Sequence, residues 1–598
     1  MAPSFSYQPL PERSIRVIKL LPSRRPTDTL RCSILNVHLD HVASQTYEAL
    51  SYVWGEPTRQ WPLDCDGKEL LVTKNCHEAL VSLRPRHLPR TLWIDAICIN
   101  QAGTPEAIAE RNGQVPILGE IYFKSSRVLI WLGPGSEAVS NAILFRYLRA
   151  VHLLSILEIG YPRLATLLEP VTWRLLDLNH GHLVKNKSSR ILESLIVILN
   201  NPWFERVWTL QEVAFGRKCI VMQGSHALNW ESLCLGYLAI PTRGLNRRAE
   251  TDRLLSRWRL YLALRGRSLE AIPKSRFQGE SQAEAELRLL AEIRNMKATI
   301  PHDRIYSLYA LFQAMGIALP SPDYKKDIVT VFEEAVVSYI RCRQNMAIIT
   351  LTSPPAAASG FPSWVPDWLT PGHYAEPLIW KMADFDAQPP ITMNLTLTQE
   401  TGNGRLGVMA KRLGIIKKLV CCPLVGESGL PPDAVYREFV QACSDWRRFI
   451  SSGLTGHPYS EKNPRQIEAA LLQAYHHAVP GDNALGPWYR WLRDGRRSAK
   501  MPVASDAFPI EVAKRRRPTA RWFIYVLDTG YCGVAGSACV VSDAIALLPS
   551  LHPLVLRACP SSPGTGAEYR VVTPAYCEGV MNGNSSMGLG ELEEIVLV

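Results

Sequence analysis

The stretch of this sequence richest in groups able to do chemistry is Asn201-Pro202-Trp203-Phe204-Glu205-Arg206-Val207-Trp208-Thr209-Leu210-Gln211-Glu212-Val213-Ala214. Read as one helix, it carries Phe204, Val207, Trp208 and Leu210 as an apolar stripe. Glu205 and Glu212, seven residues apart, then fall on nearly the same side with Trp208 between them. A carboxylate beside an aromatic ring suits a ribose or a developing cation. The plainer expectation for the same residues is a solvated helix face on which Glu205 and Glu212 pair with Arg206 and Arg217.

A second group of candidates lies where predicted strands end: Trp54-Gly55, Asp95 with the loop that runs on through Asn100 to Gln101, and Gly133. In sheets of parallel strands ligands sit at the carboxyl ends, so these polar and aromatic residues line the expected mouth. Strand ends also carry turn residues for purely structural reasons. Gly133-Pro134-Gly135-Ser136-Glu137-Ala138 formally fits the dinucleotide fingerprint, but Pro134 stiffens the turn and removes an amide donor that a phosphate would use. We read it as an ordinary strand-to-helix turn. His77, His87, His226 and His302 are scattered singly, and neither a nucleophile elbow, a Walker loop, a zinc-protease string nor a kinase set occurs.

These residues need elements to hold them. Ser14 to Leu20 and Leu30 to Val37 read as strands, Tyr47 to Trp54 as a third, and Leu63 to Val72 as a hairpin turning at Asp66-Gly67. A helix follows from Asn75 to Leu83. Thr91 to Asp95 is a buried-type strand, after which Thr104 caps a helix starting at Pro105 and interrupted at Pro116. Arg127 to Trp131 is the next strand. Helices are expected over 138–168, 191–199 and 204–215, and Cys219 to Met222 closes the series as a strand. This alternation predicts an α/β fold, a mostly parallel sheet flanked by helices.

The chain has 598 residues, of which 47% are hydrophobic and 20% charged, the balance of a folded globular protein with several domains. The pattern divides it into an α/β domain over 1–225, a helical domain over 226–345 and a Pro/Trp-rich connection over 346–404. A β-rich module over 405–598 follows, with a helical insert at 431–505. Within the connection, Pro362 to Trp368 reads as an ordered, aromatic-anchored crossing. The net charge of +11 is spread thinly, so nucleic acid is not an expected partner. The basic groups Arg243, Arg247, Arg248, Arg253, Arg257 and Arg259 and the run Lys514 to Arg517 are expected on solvated faces or a linker. Fourteen cysteines without metal-ligand spacing predict reduced thiols and no metal site. No secretion signal or membrane span is predicted, which points to the cytoplasm.

Several strings resemble the fungal heterokaryon incompatibility (HET) domain in composition, order and spacing. They are Tyr47 to Gly55, Leu92 to Gln101, Glu110-Arg111 with Gln114-Val115, and Ile121-Tyr122 leading to Val128 through Gly133; Trp203 to Glu212 is similar to that domain's last block. Asp303 to Leu308, Pro322 to Tyr324, Pro362 to Trp368 and Tyr531 to Gly536 resemble later elements of long HET proteins. Pro116 in the central helix, Ser126 and Ser542-Asp543 depart from the family pattern. The resemblance implies non-self recognition between fungal strains, with an incompatible allelic or non-allelic protein as partner, self-association, and programmed cell death as outcome.

The HET domain is in turn similar to Toll/interleukin-1 receptor (TIR) domains, so a TIR-like or flavodoxin-like sheet is implied. Trp208-x-Leu210-x-Glu212 resembles the string on the TIR helix whose glutamate cleaves NAD. That makes Glu212 the implied catalytic residue and Trp54, Gly55, Asp95, Asn100, Gln101 and Trp208 the implied substrate contacts, with NAD as substrate and no cofactor required. Two alternatives stand beside this: a non-enzymatic interaction or oligomerisation module, and a diverged relative serving another pathway such as small-molecule biosynthesis.

Overall fold

The computed structural model describes residues 3–25, 27–41, 47–135, 141–160, 188–239, most of 254–262, 282–352, 360–370, 397–399, 404–421, 522–536, 538–548, 553–560, 567–580 and 592–598, with a few isolated positions. Two compact units are present, Met1–Glu280 with Asn295–Lys326, and Ser281–Arg294 with Asp327–Val598.

The first unit is α/β. Its strands are β1 (Ser14–Leu20), β2 (Arg31–His38), β3 (Glu48–Tyr52), β4 (Arg59–Cys65), β5 (Lys68–Thr73), β6 (Arg90–Trp93), β7 (Val128–Trp131), β8 (Cys219–Gln223) and β9 (His226–Asn229). They form one sheet in the order β5-β4-β2-β1-β6-β3-β7-β8-β9. β3 pairs parallel with β6 on one side and β7 on the other, and β7 pairs parallel with β8. The flanks β1/β2, β4/β5 and β8/β9 are antiparallel. In chain order the parallel block therefore runs second, first, third, fourth. The connection goes one way from β3 and then the other, which leaves a crevice outside the carboxyl ends of β3 and β7.

Local signals place the helices. Thr73 caps α1 (Lys74–Leu83), and Thr104 accepts from Ala107 N to cap the helix that opens at Pro105. α2 is the single turn Asp95–Cys98 directly after β6, and α3 is Pro105–Gln114. Pro116 divides α3 from α4 (Leu118–Lys124) through a short 3-10 turn, as expected of a proline without an amide donor. Asp66 and Gly67 take positive φ in the β4–β5 hairpin turn. α5 (Asn141–Gly160) covers part of the long helix expected over 138–168; the remainder falls outside the described residues. α6 (Ser188–Leu199), α7 (Thr209–Phe215) and α8 (Trp230–Ala239) follow, and α8 packs so closely on α5 that a Cβ at Gly236 would lie 2.5 Å from Leu148. α9 (Asp303–Tyr306) and α10 (Tyr309–Ala314) belong to this same unit.

One basic residue contradicts the solvated placement expected of it. Arg257 is fully buried, donating to the carbonyls of Phe204 and Arg206 and to Thr209 Oγ1, with its guanidinium over the rings of Trp203 and Phe204. Carbonyl acceptors and aromatic faces replace its water. Arg243, Arg247, Arg248, Arg253, Arg259 and Lys514 to Arg517 lie outside the described residues.

In the second unit, helices Gln282–Glu292 and Ile328–Arg343 are joined by the Arg343–Glu286 ion pair, with Glu286 buried. Trp364 and Trp368 are fully buried, their indole N–H groups donating to Gly404 O and Leu290 O, so 362–368 is an aromatic-anchored crossing. The β-rich module comprises β10 (Leu397–Gln399), β11 (Leu406–Cys421), β12 (Trp522–Leu527), β13 (Cys532–Gly536), β14 (Ala544–Leu547), β15 (Leu554–Ala558), β16 (Glu568–Cys577) and β17 (Glu593–Leu597). β11 pairs with both β12 and β14, which closes β11-β12-β13-β16-β15-β14 into an antiparallel barrel. Closure removes free edges. The register of β11 against β14 shifts between Arg412 and Gly414, and a Cβ at Gly414 would lie 2.6 Å from Asp528 Oδ1. Most of the insert expected at 431–505 lies outside the described residues.

No helix among the described residues is long and apolar enough to cross a membrane. Those residues also contain no metal-binding cluster and no disulfide.

Candidate functional site at the switch crevice

The segment expected to form one helix over 204–215 is broken. Asn201 caps a tight 3-10 turn, Pro202–Glu205, by accepting from Trp203 N at 3.0 Å, and its amide donates to Leu132 O just beyond β7 at 2.9 Å. Arg206 is then extended (ψ 132°). Its neighbours Glu205 and Val207 exchange backbone hydrogen bonds with Lys297, and its guanidinium donates to Tyr52 O at the end of β3. α7 restarts only at Thr209. Glu205 and Glu212 therefore do not share a helix face. Glu205 pairs with Lys297 at 2.6 Å, whereas Glu212 points inward and is only 5% exposed. Arg217, the other partner expected, lies over the ring of Phe123 instead.

Glu212 is held by a hydrogen-bond chain. Trp203 Nε1 donates to Ser51 Oγ at 2.7 Å, and Ser51 Oγ donates to Glu212 Oε2. Ser51 lies on β3 and Trp203 in the turn that follows Asn201, so the carboxyl is fixed at the switch crevice. Burial pushes its pKa up to about 7, against the opposing pull of Arg206 and the Ser51 hydrogen bond. The Tyr122 phenol is pushed well above its ordinary range by burial and by this carboxyl.

Asp95, at the start of α2, accepts from Trp54 Nε1 at 2.8 Å, and burial raises its pKa while Arg206 lowers it. Trp208 donates from Nε1 to Asp303 Oδ2 at 3.0 Å. Tyr324 O–H donates to the other oxygen at 2.9 Å, and burial raises Asp303 as well. Arg206 is thus the common cation of three desolvated carboxyls, Glu212, Asp95 and Asp303.

The structure pairs Trp54 with Asp95 and Trp208 with Asp303, and holds Glu212 through Ser51; Arg206, bonded to Tyr52 O, lowers the pKa of all three carboxyls through its charge. Gln101 supports Asp95, donating to Asp95 O at 3.1 Å. Asn100 is turned to its own loop, its Oδ1 accepting from Ala102 N, while its backbone N–H donates to Glu110, the partner of buried Arg16. Gly55 has φ +73°, and a Cβ there would lie 2.7 Å from Asn75 Nδ2, so glycine is required by the turn itself. Gly133 O accepts from Gly224 N, which ties the glycine-rich turn to the β8–β9 hairpin.

The roles of Ser51, Tyr122, Trp203, Arg206 and Asp303 emerge only from the fold. One sequence signal was available for Ser51, a small polar residue inside the buried run Glu48–Tyr52, whose hydroxyl demands a partner.

The model of the family described as Heterokaryon incompatibility protein (HET) matches residues 47–212. The chain is 26% identical over 428 residues to Heterokaryon incompatibility protein 6, OR allele, of Neurospora crassa, covering 61% of this chain and 59% of that relative. The match thus spans about three-fifths of the relative's length. No solved structure matches. The matched region begins at Tyr47, just before β3, and ends on Glu212, so it encloses the switch crevice. Residues 47–212 thus match a heterokaryon incompatibility domain, and the switch crevice lies within that match.

Proposed function

We propose that this chain acts in heterokaryon incompatibility, setting off programmed cell death after fusion with an incompatible partner, and that its HET domain does so by TIR-like cleavage of NAD. The observation that carries the chemistry is the placement of Glu212, a desolvated carboxyl fixed by Ser51 at the β3/β7 switch crevice. When the nicotinamide–ribose bond breaks, the electron pair leaves with nicotinamide and positive charge develops on the ribose carbon, where an ionised carboxylate stabilises it. Glu212 would hold the ribose hydroxyls, Trp54 or Trp208 would stack on a ring, and Asp95 would position the ligand. With Glu212 5% exposed, substrate would reach it only once the site opens, which suits an effector silent until it assembles with other copies.

The same burial favours a second reading. The Trp203–Ser51–Glu212 chain would be a structural latch of an interaction module, with recognition carried by other surfaces. Inducing the full chain and Glu212→Gln at matched level, with NAD content and viability followed together, separates the two. Loss of both effects in the variant supports cleavage, and death with NAD untouched supports the interaction module. No death from the native chain overturns both and favours the diverged relative.

A further inference from the structure

On the side of α7 that carries Ala214 and Phe215 there is a surface cavity of about 840 Å³, within the size range of small-molecule sites. Its apolar walls come from elements far apart in sequence: Ile117 before α4, Phe123 on α4, Phe215 on α7 and Ala310 on α10. The bare backbone of Gly119 brings α4 against α10, since a Cβ there would lie 2.5 Å from Ala310 Cβ. Close backbone approach leaves the room to the aromatic side chains.

The charges at the rim are unequal. Arg13 bonds Asp40 and Glu120, and Lys124 lies 2.8 Å from Glu120 and 4.0 Å from Asp40, so two cations and two carboxylates neutralise one another. Arg217 stands outside that set. It is exposed, forms no ion pair among the described residues, and holds its guanidinium 5.5 Å from the centre of the Phe123 ring. A concave apolar surface with one uncompensated guanidinium beside an aromatic face is complementary to an apolar body bearing one carboxylate, which arginine grips through paired N–H donors.

The geometry points to a binding site for a small apolar carboxylic acid in this cavity, anchored by Arg217 and seated against Phe123 and Phe215. The site is distinct from the switch crevice and holds whether or not Glu212 is catalytic. A ligand seated there touches Ala214 and Phe215, two and three residues along α7 from Glu212.

Calorimetric titration of the full chain with 2-naphthoate, and with neutral 2-naphthamide as its uncharged match, tests the assignment. Saturable 2-naphthoate binding is expected. Arg217→Ala should weaken it about tenfold, the size of one charge-assisted contact, while leaving 2-naphthamide unchanged. Ala314→Trp, at an exposed position on the cavity lip, should abolish binding of both. Absence of saturable 2-naphthoate binding overturns the proposal, as does unchanged 2-naphthoate affinity in either variant.

Discussion

Replacing Glu212 by Gln should make the protein more stable at alkaline pH and leave it unchanged at acid pH. Glutamine keeps the shape of the protonated carboxyl but cannot ionise. The carboxyl titrates at about 7 in the folded chain against an ordinary 4.5, so between these values the folded state holds a proton that the unfolded state has lost. Stability then falls as pH rises through that window. Each pH unit is worth about 1.4 kcal/mol, and the full span amounts to about 3 kcal/mol. Asp95 and Asp303, also raised by burial, add the same sign to both proteins. Calorimetric scans of the two full-length proteins from pH 4.5 to 8.5 should give coincident N-terminal transitions at the acid end. At the alkaline end the variant should be higher by roughly 6 °C, taking roughly 2 °C per kcal/mol. Parallel transitions across the range, or a variant less stable at pH 8.5, would refute the claim that Glu212 is a desolvated carboxyl.

Further outcomes follow from the same network. Ser51→Ala removes the hydrogen bond that favours ionised Glu212, so the inflection in stability should move to higher pH, with a loss of about 1–3 kcal/mol from the orphaned Trp203 indole, readable in the same scans. Arg206→Gln removes the donor to Tyr52 O and a cation that favours ionised Glu212, and the loss should be about 1–3 kcal/mol near neutral pH but smaller at pH 5, where Glu212 is protonated. Gly55→Ala forces a side chain into positive φ and against Asn75. It should cost about 1–3 kcal/mol, part of which the double variant with Asn75→Ala restores, as a double-mutant cycle on chemical denaturation will measure. If Glu212 cleaves NAD as a carboxylate, nicotinamide release by the purified chain should rise with pH through about 7, and a flat profile would remove Glu212 from the charge-stabilising role.

Much of the framework was legible in the chain itself because it is decided by forces acting over a few residues. Asp66-Gly67 supplies the positive φ angles of its hairpin, Thr104-Pro105 starts a helix, and Pro116 divides one, each through local sterics or a capping hydrogen bond. The buried strands, and the HET strings laid along them, were readable for the same reason. The 201–212 segment resisted because its conformation is set from outside. Arg206 is extended where the helical pattern predicts a turn, since Tyr52 O and the backbone flanking Lys297 offer its surroundings hydrogen bonds that an uninterrupted helix would forgo. That break alone sends Glu205 to a surface lysine and Glu212 to the interior.

Sequence by itself therefore determined the order of strands and helices, the HET resemblance and the identity of Glu212, Asp95, Trp54 and Trp208 as the groups worth watching. Tertiary structure decided which of them meet. The desolvation of Glu212 and the partner of Trp208 depend on segments as remote as Ser51 and Asp303 arriving beside them. It likewise decided that Asn295–Lys326 returns to complete the first unit and that β11 closes a barrel with strands more than a hundred residues later. Capping and turn preferences are encoded residue by residue, but burial and ion pairing are properties of a site assembled from the whole chain.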